Sequence, residues 1–274
     1  MSYHIVKKLN YKSETEEKKK IVDSIAKQIE DKMEMLGKKK DSNNPKYVFS
    51  IGGDGTMMHS MHEYINQKSI IVGIHAGNVG FLTPFEQDDI NSIINLLDNS
   101  NARIEQRSIL KYDSFPNGKH KKELCINEFA ITAMGPNDML DFSVEIEHRG
   151  LVSKAGNYKA NAILVSGPCG STAYNMNAGG AIVDPSVKCM QILMIAPTTL
   201  GSRPIIVGKN SKVHITVRRK AKVFSDGILI EELSPENKVS IELMKKEANL
   251  LVPNGWNFYS ILSKKLMWNN GREV

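Results

Sequence analysis

The chain is 274 residues long, 41% hydrophobic and 24% charged, with a net charge of +6. That balance is ordinary for globular proteins and excludes a disorder-dominated class, and the length suits one large or two modest domains. The positive charge suits an anionic partner, yet the basic clusters at 18–20, 38–40 and 218–220 are scattered and lack interleaved aromatics, so they read as solvated faces and no nucleic-acid partner is expected.

In chain order, residues 3–9 read as a first strand, followed by a segment in which Ile21, Ile25, Ile29 and Met33 recur every four residues and so form one face of a helix. A polar loop, Lys40-Asp41-Ser42-Asn43-Asn44-Pro45, leads to the apolar run Tyr47-Val48-Phe49-Ser50-Ile51, which has the composition of a buried strand. The glycine turn Gly52-Gly53-Asp54-Gly55-Thr56 follows directly, then helical spacing over 57–65, a strand at 69–75, the loop Ala76-Gly77-Asn78-Val79-Gly80-Phe81 and a helix around 88–97. Strands and helices alternating at this length predict parallel βαβ units. After Asn101 the rhythm changes to short alternating runs such as Phe142-Ser143-Val144-Glu145-Ile146-Glu147 and Val213-His214-Ile215-Thr216-Val217, the pattern of antiparallel strands. One helical interruption is expected at 172–178, after the turn Gly167-Pro168-Cys169-Gly170. Residues 256–268 regain an apolar helical stripe in Phe258, Ile261, Leu262 and Leu266, placed to return to the first domain. The expected fold is an α/β amino-terminal domain with a parallel, Rossmann-like sheet over residues 1–100, completed by a helix at 256–274, plus a mostly antiparallel β-rich domain over 101–255.

Three cysteines, Cys125, Cys169 and Cys189, have no metal-type spacing and cannot all pair within the chain, which favours a reducing compartment. The first residues carry no long apolar stretch, and no later run approaches the roughly 18 apolar residues of a membrane span. A cytoplasmic protein without a membrane partner is the expectation.

The glycine turn carries the most chemistry. Gly52, Gly53 and Gly55 let the backbone approach a ligand and turn successive N–H groups into an anion site, and Thr56 is expected at the start of the following helix, where the dipole favours phosphate. Asp54 is the anomaly, since a carboxylate beside a phosphate cradle is repelled unless it holds a metal or accepts a proton. The turn is neither a Walker A motif nor the dinucleotide fingerprint. His59 and His62 stand three apart on the helix but lack a third ligand, so they read as helix surface and no metal ligand is assigned. His75, ending a strand, reads as structural.

With this turn, the Asn127-Glu128 pair, Gly170-Ser171-Thr172-Ala173-Tyr174 with Gly179-Gly180, Ser202-Arg203-Pro204, Ser225-Asp226-Gly227 and Lys264-Lys265-Leu266-Met267-Trp268 in order, the chain resembles the bacterial NAD kinases nearly end to end. The resemblance implies a two-domain NAD-kinase-like fold and transfer of the terminal phosphoryl group of ATP, or a related donor, to the 2′-hydroxyl of the adenosine ribose of NAD. It also implies a divalent metal such as Mg²⁺ and a homodimer or homotetramer. By the same resemblance Asp54 orients the hydroxyl and takes its proton late, while Gly53, Gly55, Thr56 and His59 face donor phosphates. Phe81 lies beside the adenine, Asn127 and Glu128 bind sugar and base, and Thr172, Ala173, Tyr174 and Asn177 line the nicotinamide-nucleoside side. Lys159 and Asp226 occupy positions that are basic and acidic in relatives.

Two departures stand out. Relatives carry an Asp-Gly pair where this chain has Asn161-Ala162, which removes a charge-assisted hydrogen bond, and Thr-Pro-Thr where it has Gly167-Pro168-Cys169. The donor side is therefore intact and the acceptor side altered. Two alternatives follow: the same fold binding a nucleotide with weak or no transfer, and a lipid kinase. The latter shares the Gly-Gly-Asp-Gly turn but lacks the Gly-Ser-Thr-Ala-Tyr and terminal Lys-Leu-x-Trp signatures.

Overall fold

In a computed structural model, which describes residues 2–7, 16–77, 80–98 and 103–267, the apolar run at 47–52 is a strand buried at all six positions. Burial on both faces is what a continuous apolar run specifies in a parallel sheet covered by helices. The chain forms two units, one comprising the sequence up to Gln106 and from Ala248 onward, the other Arg107–Glu247.

The first unit contains β1 (Ser2–Lys7), α1 (Glu16–Met35), the short β2 (Lys39–Lys40), β3 (Tyr47–Gly52), α2 (Asp54–Tyr64), β4 (Ile70–His75), α3 (Ile90–Asp98) and β5 (Arg103–Arg107). The predicted four-residue stripe of α1 buries Ile25, Ile29 and Met33 together with Val22 and Ala26, and Ile21 is only partly buried. These side chains meet Phe49, Ile51, Val72 and Ile74 on one face of the sheet and Ile90 and Ile93 of α3. The opposite face is covered by α2. This helix begins at Asp54 with Gly53 as its N-cap, three residues before the predicted start, so Thr56 lies inside the first turn and is buried. The first strand ends at Lys7, and the predicted Lys8 and Leu9 lie outside the described residues.

The second unit is a run of short strands: β6 (Leu110–Ser114), β7 (Lys121–Cys125), β8 (Glu128–Ala133), β9 (Leu140–His148), β10 (Leu151–Ala160) and β11 (Ala162–Ser166). After a 3₁₀ turn at Cys169–Thr172 come a single-turn helix α4 (Tyr174–Asn177), then β12 (Cys189–Ile195), β13 (Ile205–Gly208), β14 (Ser211–Val217), β15 (Ala221–Ser225), β16 (Ile228–Leu233) and β17 (Lys238–Leu243). The expected helix at 172–178 is thus split, with Ala173 between the two pieces. Two six-stranded sheets result, ordered β10-β9-β14-β17-β6-β7 and β13-β12-β11-β8-β15-β16, with antiparallel pairings. Alternation fixes which side chains face inward: in β14, Val213, Ile215 and Val217 are buried while Lys212, His214 and Thr216 are not. Tyr112, Phe142, Val144 and Ile215 from one sheet and Phe129, Ile131, Val165 and Ile192 from the other share one buried core.

The chain then re-enters the first unit through β18 (Ala248–Val252), which pairs in parallel with β4, and α5 (Phe258–Lys265). The first sheet is therefore ordered β2-β1-β3-β4-β18-β5. The sequence boundaries at 101 and 255 move to 107 and 247, because Ala248–Val252 is a strand of the first sheet rather than an end of the second unit. The predicted tail helix is observed over Phe258–Lys265, capped by Asn257 accepting from the Tyr259 and Ser260 amides, and residues 268–274 of that prediction lie outside the described residues. Among the described residues no helix is long and apolar enough to cross a membrane.

Leu251 of β18 is fully buried in the core formed with α1, β3 and α3. Its replacement by alanine is expected to destabilise the protein by about 2–5 kcal/mol, measured by urea unfolding.

Candidate active site

In the first unit the glycine turn and the loop after β4 are fastened by one side chain. Asp54 Oδ2 accepts the Phe81 amide at 2.9 Å and Oδ1 the Leu82 amide at 2.9 Å. The carboxylate thus answers two backbone donors, which offsets its proximity to the phosphate-type turn and rules out a merely solvated aspartate. Gly80 makes the contact possible, since a Cβ there would stand 1.9 Å from Asp54 Oδ1; Gly52 makes room instead for Thr56, whose Oγ1 a Cβ would meet at 2.3 Å. Gly53 caps α2 without any side-chain hydrogen bond. Phe81 is half-buried, with Lys265 Nζ of α5 lying 5.0 Å from its ring centroid, a cation–π contact that ties the returning helix to this loop. His59 is exposed and lies 3.5 Å from Glu63 one turn on. Among the described residues no group of three or more His, Cys, Asp or Glu is arranged to hold a metal ion.

In the second unit, Asp226 and Gly227 form the two-residue turn between β15 and β16, both with positive φ (47° and 81°), as an Asp-Gly hairpin turn requires. The Asp226 carboxylate folds back onto the segment joining β7 to β8, accepting from the Asn127 amide at 2.8 Å, the Ile126 amide at 2.9 Å, the Cys125 thiol at 3.0 Å and the Glu128 amide at 3.3 Å. Ser225 Oγ donates to Leu124 O alongside. The Asn127 carbonyl in turn accepts from the Gly167 amide at 3.0 Å, and a Cβ on Gly170 would meet that oxygen at 2.2 Å. Asn127, Glu128, Asp226 and the Gly170-Ser171-Thr172 turn are therefore brought together by backbone bracing. Glu128 is 8% exposed, and its Oε2 has no hydrogen-bond partner. Burial, then the charge of Asp226, push its carboxyl up to about 8.

Tyr174 is 45% exposed, so it is no core aromatic. Together with Asn161, Met134, Ile195, Lys222 and Phe224 it lines a pocket of about 290 Å³. Asn161 Nδ2 donates to the Asp138 carbonyl at 2.8 Å, so the amide is turned toward the 138–139 loop. Ala173 and Thr172 are half-buried, with Thr172 Oγ1 donating to Cys169 O at 3.3 Å; Asn177 and Lys159 are exposed. The altered Gly167-Pro168-Cys169 turn is buried. Two residues brace the turn, Gln191 with no signal in the sequence pattern and Ser171 from within the glycine-bearing motif. Gln191 of β12 both donates to and accepts from Ala181 (2.8 and 3.0 Å), and Ser171 Oγ does the same with Val183 (3.3 and 3.0 Å).

The ATP-NAD kinase N-terminal domain family matches residues 2–102 and the ATP-NAD kinase C-terminal domain family residues 126–252. An NAD kinase of Sulfurimonas denitrificans is 30% identical over 252 residues, covering 89% of this chain and 87% of that protein. The chain belongs to the NAD kinase family. Among NAD kinases, that of Fusobacterium nucleatum is also similar, 29% identical over 263 residues with 94% and 96% of the two chains covered. The fold is shared with two solved structures. Yeast NADH kinase complexed with NADH has a TM-score of 0.84 at 18% identity and covers 100% of this chain and 89% of its own. An NAD kinase from Archaeoglobus fulgidus in complex with ATP has a TM-score of 0.76 at 22% identity, covering 96% and 98%.

For this NAD kinase, the raised pKa of Glu128 has a measurable consequence. The folded chain holds that proton more tightly than the unfolded one, so the stabilisation is complete below the unfolded value of 4.5 and is lost as pH rises toward about 8. Glu128→Gln is expected to melt higher than the parent at pH 9 and to match it at pH 4, measured by thermal unfolding across that range.

Proposed function

We propose that the chain transfers the terminal phosphoryl group of ATP to the 2′-hydroxyl of the adenosine ribose of NAD, giving NADP and ADP. The observation that carries the reading is the Asp54 carboxylate fixed at the start of α2 by the Phe81 and Leu82 amides. A carboxylate offers about four acceptor positions, and two amides leave room for a hydroxyl proton. Asp54 then orients the ribose oxygen; as the new O–P bond forms and the bond to the ADP oxygen breaks, the hydroxyl proton passes to the carboxylate. Phosphoryl transfer asks mainly for positioning and charge stabilisation, so a weak base in a fixed place suffices.

The donor phosphates suit the uncapped start of α2 at Gly53, Gly55 and Thr56, where backbone N–H groups and the dipole favour anions. Mg²⁺ fits these residues, since it takes one or two carboxylates with phosphate oxygens and waters rather than a full protein cage; Asp54 would hold it and it would neutralise charge on the phosphates. Glu128, buried with one oxygen unpaired, is suited to meet a sugar hydroxyl or a base amino group beside Asn127. Phe81 offers a ring face to the adenine, and the pocket of Asn161 and Tyr174 a wall to the nicotinamide nucleoside, with Ala173, Asn177 and Lys159 nearby in sequence. The complexes of related folds with NADH and with ATP support the substrate pair. Exposed Leu151 and Val152 on the edge strand β10, with Ile228 on the edge strand β16, support a homodimer or homotetramer. A cytoplasmic location agrees with three free cysteines.

The test is a coupled assay with NAD, ATP and Mg²⁺, in which an NADP-specific dehydrogenase reports product. Asp54→Asn is expected to lower turnover about 10²–10⁴-fold. A parent signal no higher than that of the variant sinks the reading.

A further inference from the structure

His75 closes β4, and its backbone amide donates to Phe85 O at 2.9 Å, so its place is fixed. The side chain is 8% exposed, and neither Nδ1 nor Nε2 has a hydrogen-bond partner among the described residues. An imidazole always carries at least one N–H donor, and leaving that donor and its second nitrogen unmet inside a protein is costly. A histidine kept for packing alone would be better replaced by an apolar ring.

The direction of the ring follows from the register. β3 and β4 pair in parallel, with Ser50 opposite Gly73 and Gly52 opposite His75. Ser50 Oγ meets Ser60 Oγ of α2 at 2.9 Å, a Cβ on Gly73 would meet Met57 Sδ at 2.7 Å, and one on Gly52 would meet Thr56. Alternation therefore places His75 on the same face, one step beyond Gly73, level with bare Gly52 and beside the first turn of α2. That turn belongs to an 11-residue helix whose N-cap, Gly53, supplies no side-chain acceptor. An unpaired buried donor and a free helix N-terminus converge at the carboxyl end of a parallel sheet, and both call for the same guest, an anion rich in acceptor oxygens. Asp54 stands in the same turn, but its charge is already answered by the Phe81 and Leu82 amides.

We infer that His75 binds the polyphosphate chain of the donor, its ring N–H donating to a phosphate oxygen held at the start of α2. This rests on the kinase reading above and adds a side chain to the donor site. The ligand chemistry is a chain of phosphates, from a nucleoside triphosphate or from inorganic polyphosphate.

The experiment compares the parent, His75→Phe and His75→Gln in two measurements. Melting temperatures are taken without ligand and with inorganic triphosphate, ATP or adenosine, and KM is measured separately for ATP and NAD. His75→Phe is expected to melt as high as the parent or higher without ligand, to lose the rise caused by triphosphate and ATP, and to raise KM for ATP about 10–100-fold with KM for NAD unchanged. His75→Gln, which keeps an N–H donor, is expected to recover part of both. As a readout that needs no folded variant, triphosphate should shift the His75 ring signals in the nitrogen-edited NMR spectrum of the parent. A lower ligand-free melting temperature for His75→Phe with an unchanged triphosphate response, or ring signals indifferent to triphosphate, overturns the inference. NADP formation with a KM for ATP indifferent to residue 75 overturns it while the kinase reading stands. A His75-dependent triphosphate response without NADP formation upholds it and sinks the kinase reading.

Discussion

Both units rest on one device, an aspartate carboxylate that accepts backbone amides from a neighbouring loop. In the first unit Asp54 holds the Phe81 and Leu82 amides; in the second Asp226 holds those of Ile126, Asn127 and Glu128. Hydrogen bonds to a charged acceptor are roughly twice as strong as neutral ones, and two or more on one carboxylate fix a loop in position and orientation. The glycines of the motifs make room for this. Gly80 bares the backbone for Asp54, and Gly170 lets the Asn127 carbonyl sit against the 3₁₀ turn. The motif residues are thus as much joinery as chemistry, and the same carboxylate at position 54 serves as both.

Glu128 shows the contrast. It is buried next to Asp226 with an oxygen left unpaired, so its carboxyl holds a proton far above the ordinary range, whereas Asp54 is ringed by donors. Burial beside another carboxylate thus leaves Glu128 a hydrogen-bond donor, while the Asp54 oxygens accept two backbone amides. His75 is a second buried polar group without a hydrogen-bond partner among the described residues.

The glycine turn, the parallel first sheet, the antiparallel second unit and the returning helix were legible because each writes a period or a turn residue into a short stretch of sequence. The start of α2 was misjudged because the apolar spacing begins at Met57, while the helix geometry is set by Gly53 and Asp54, which carry no apolar signal. Residues 248–252 read by sequence as the end of the β-rich unit, since a strand's sheet partner is a long-range choice; β18 pairs with β4, about 180 residues earlier. The role of Asp226 in bracing residue 127 is hidden from the sequence for the same reason. His75 looked structural at the end of a strand. The register with Gly52 and the lack of a partner among the described residues carry information that the sequence does not.

The second unit is inserted between β5 and β18, which are neighbours in the first sheet. During synthesis β4 must therefore wait for its partner while about 170 further residues emerge, on the order of ten seconds at ordinary elongation rates. Through that interval the nascent first unit exposes an open strand edge at Ile70 and Ile71, and the rate of synthesis dictates when the first sheet can close.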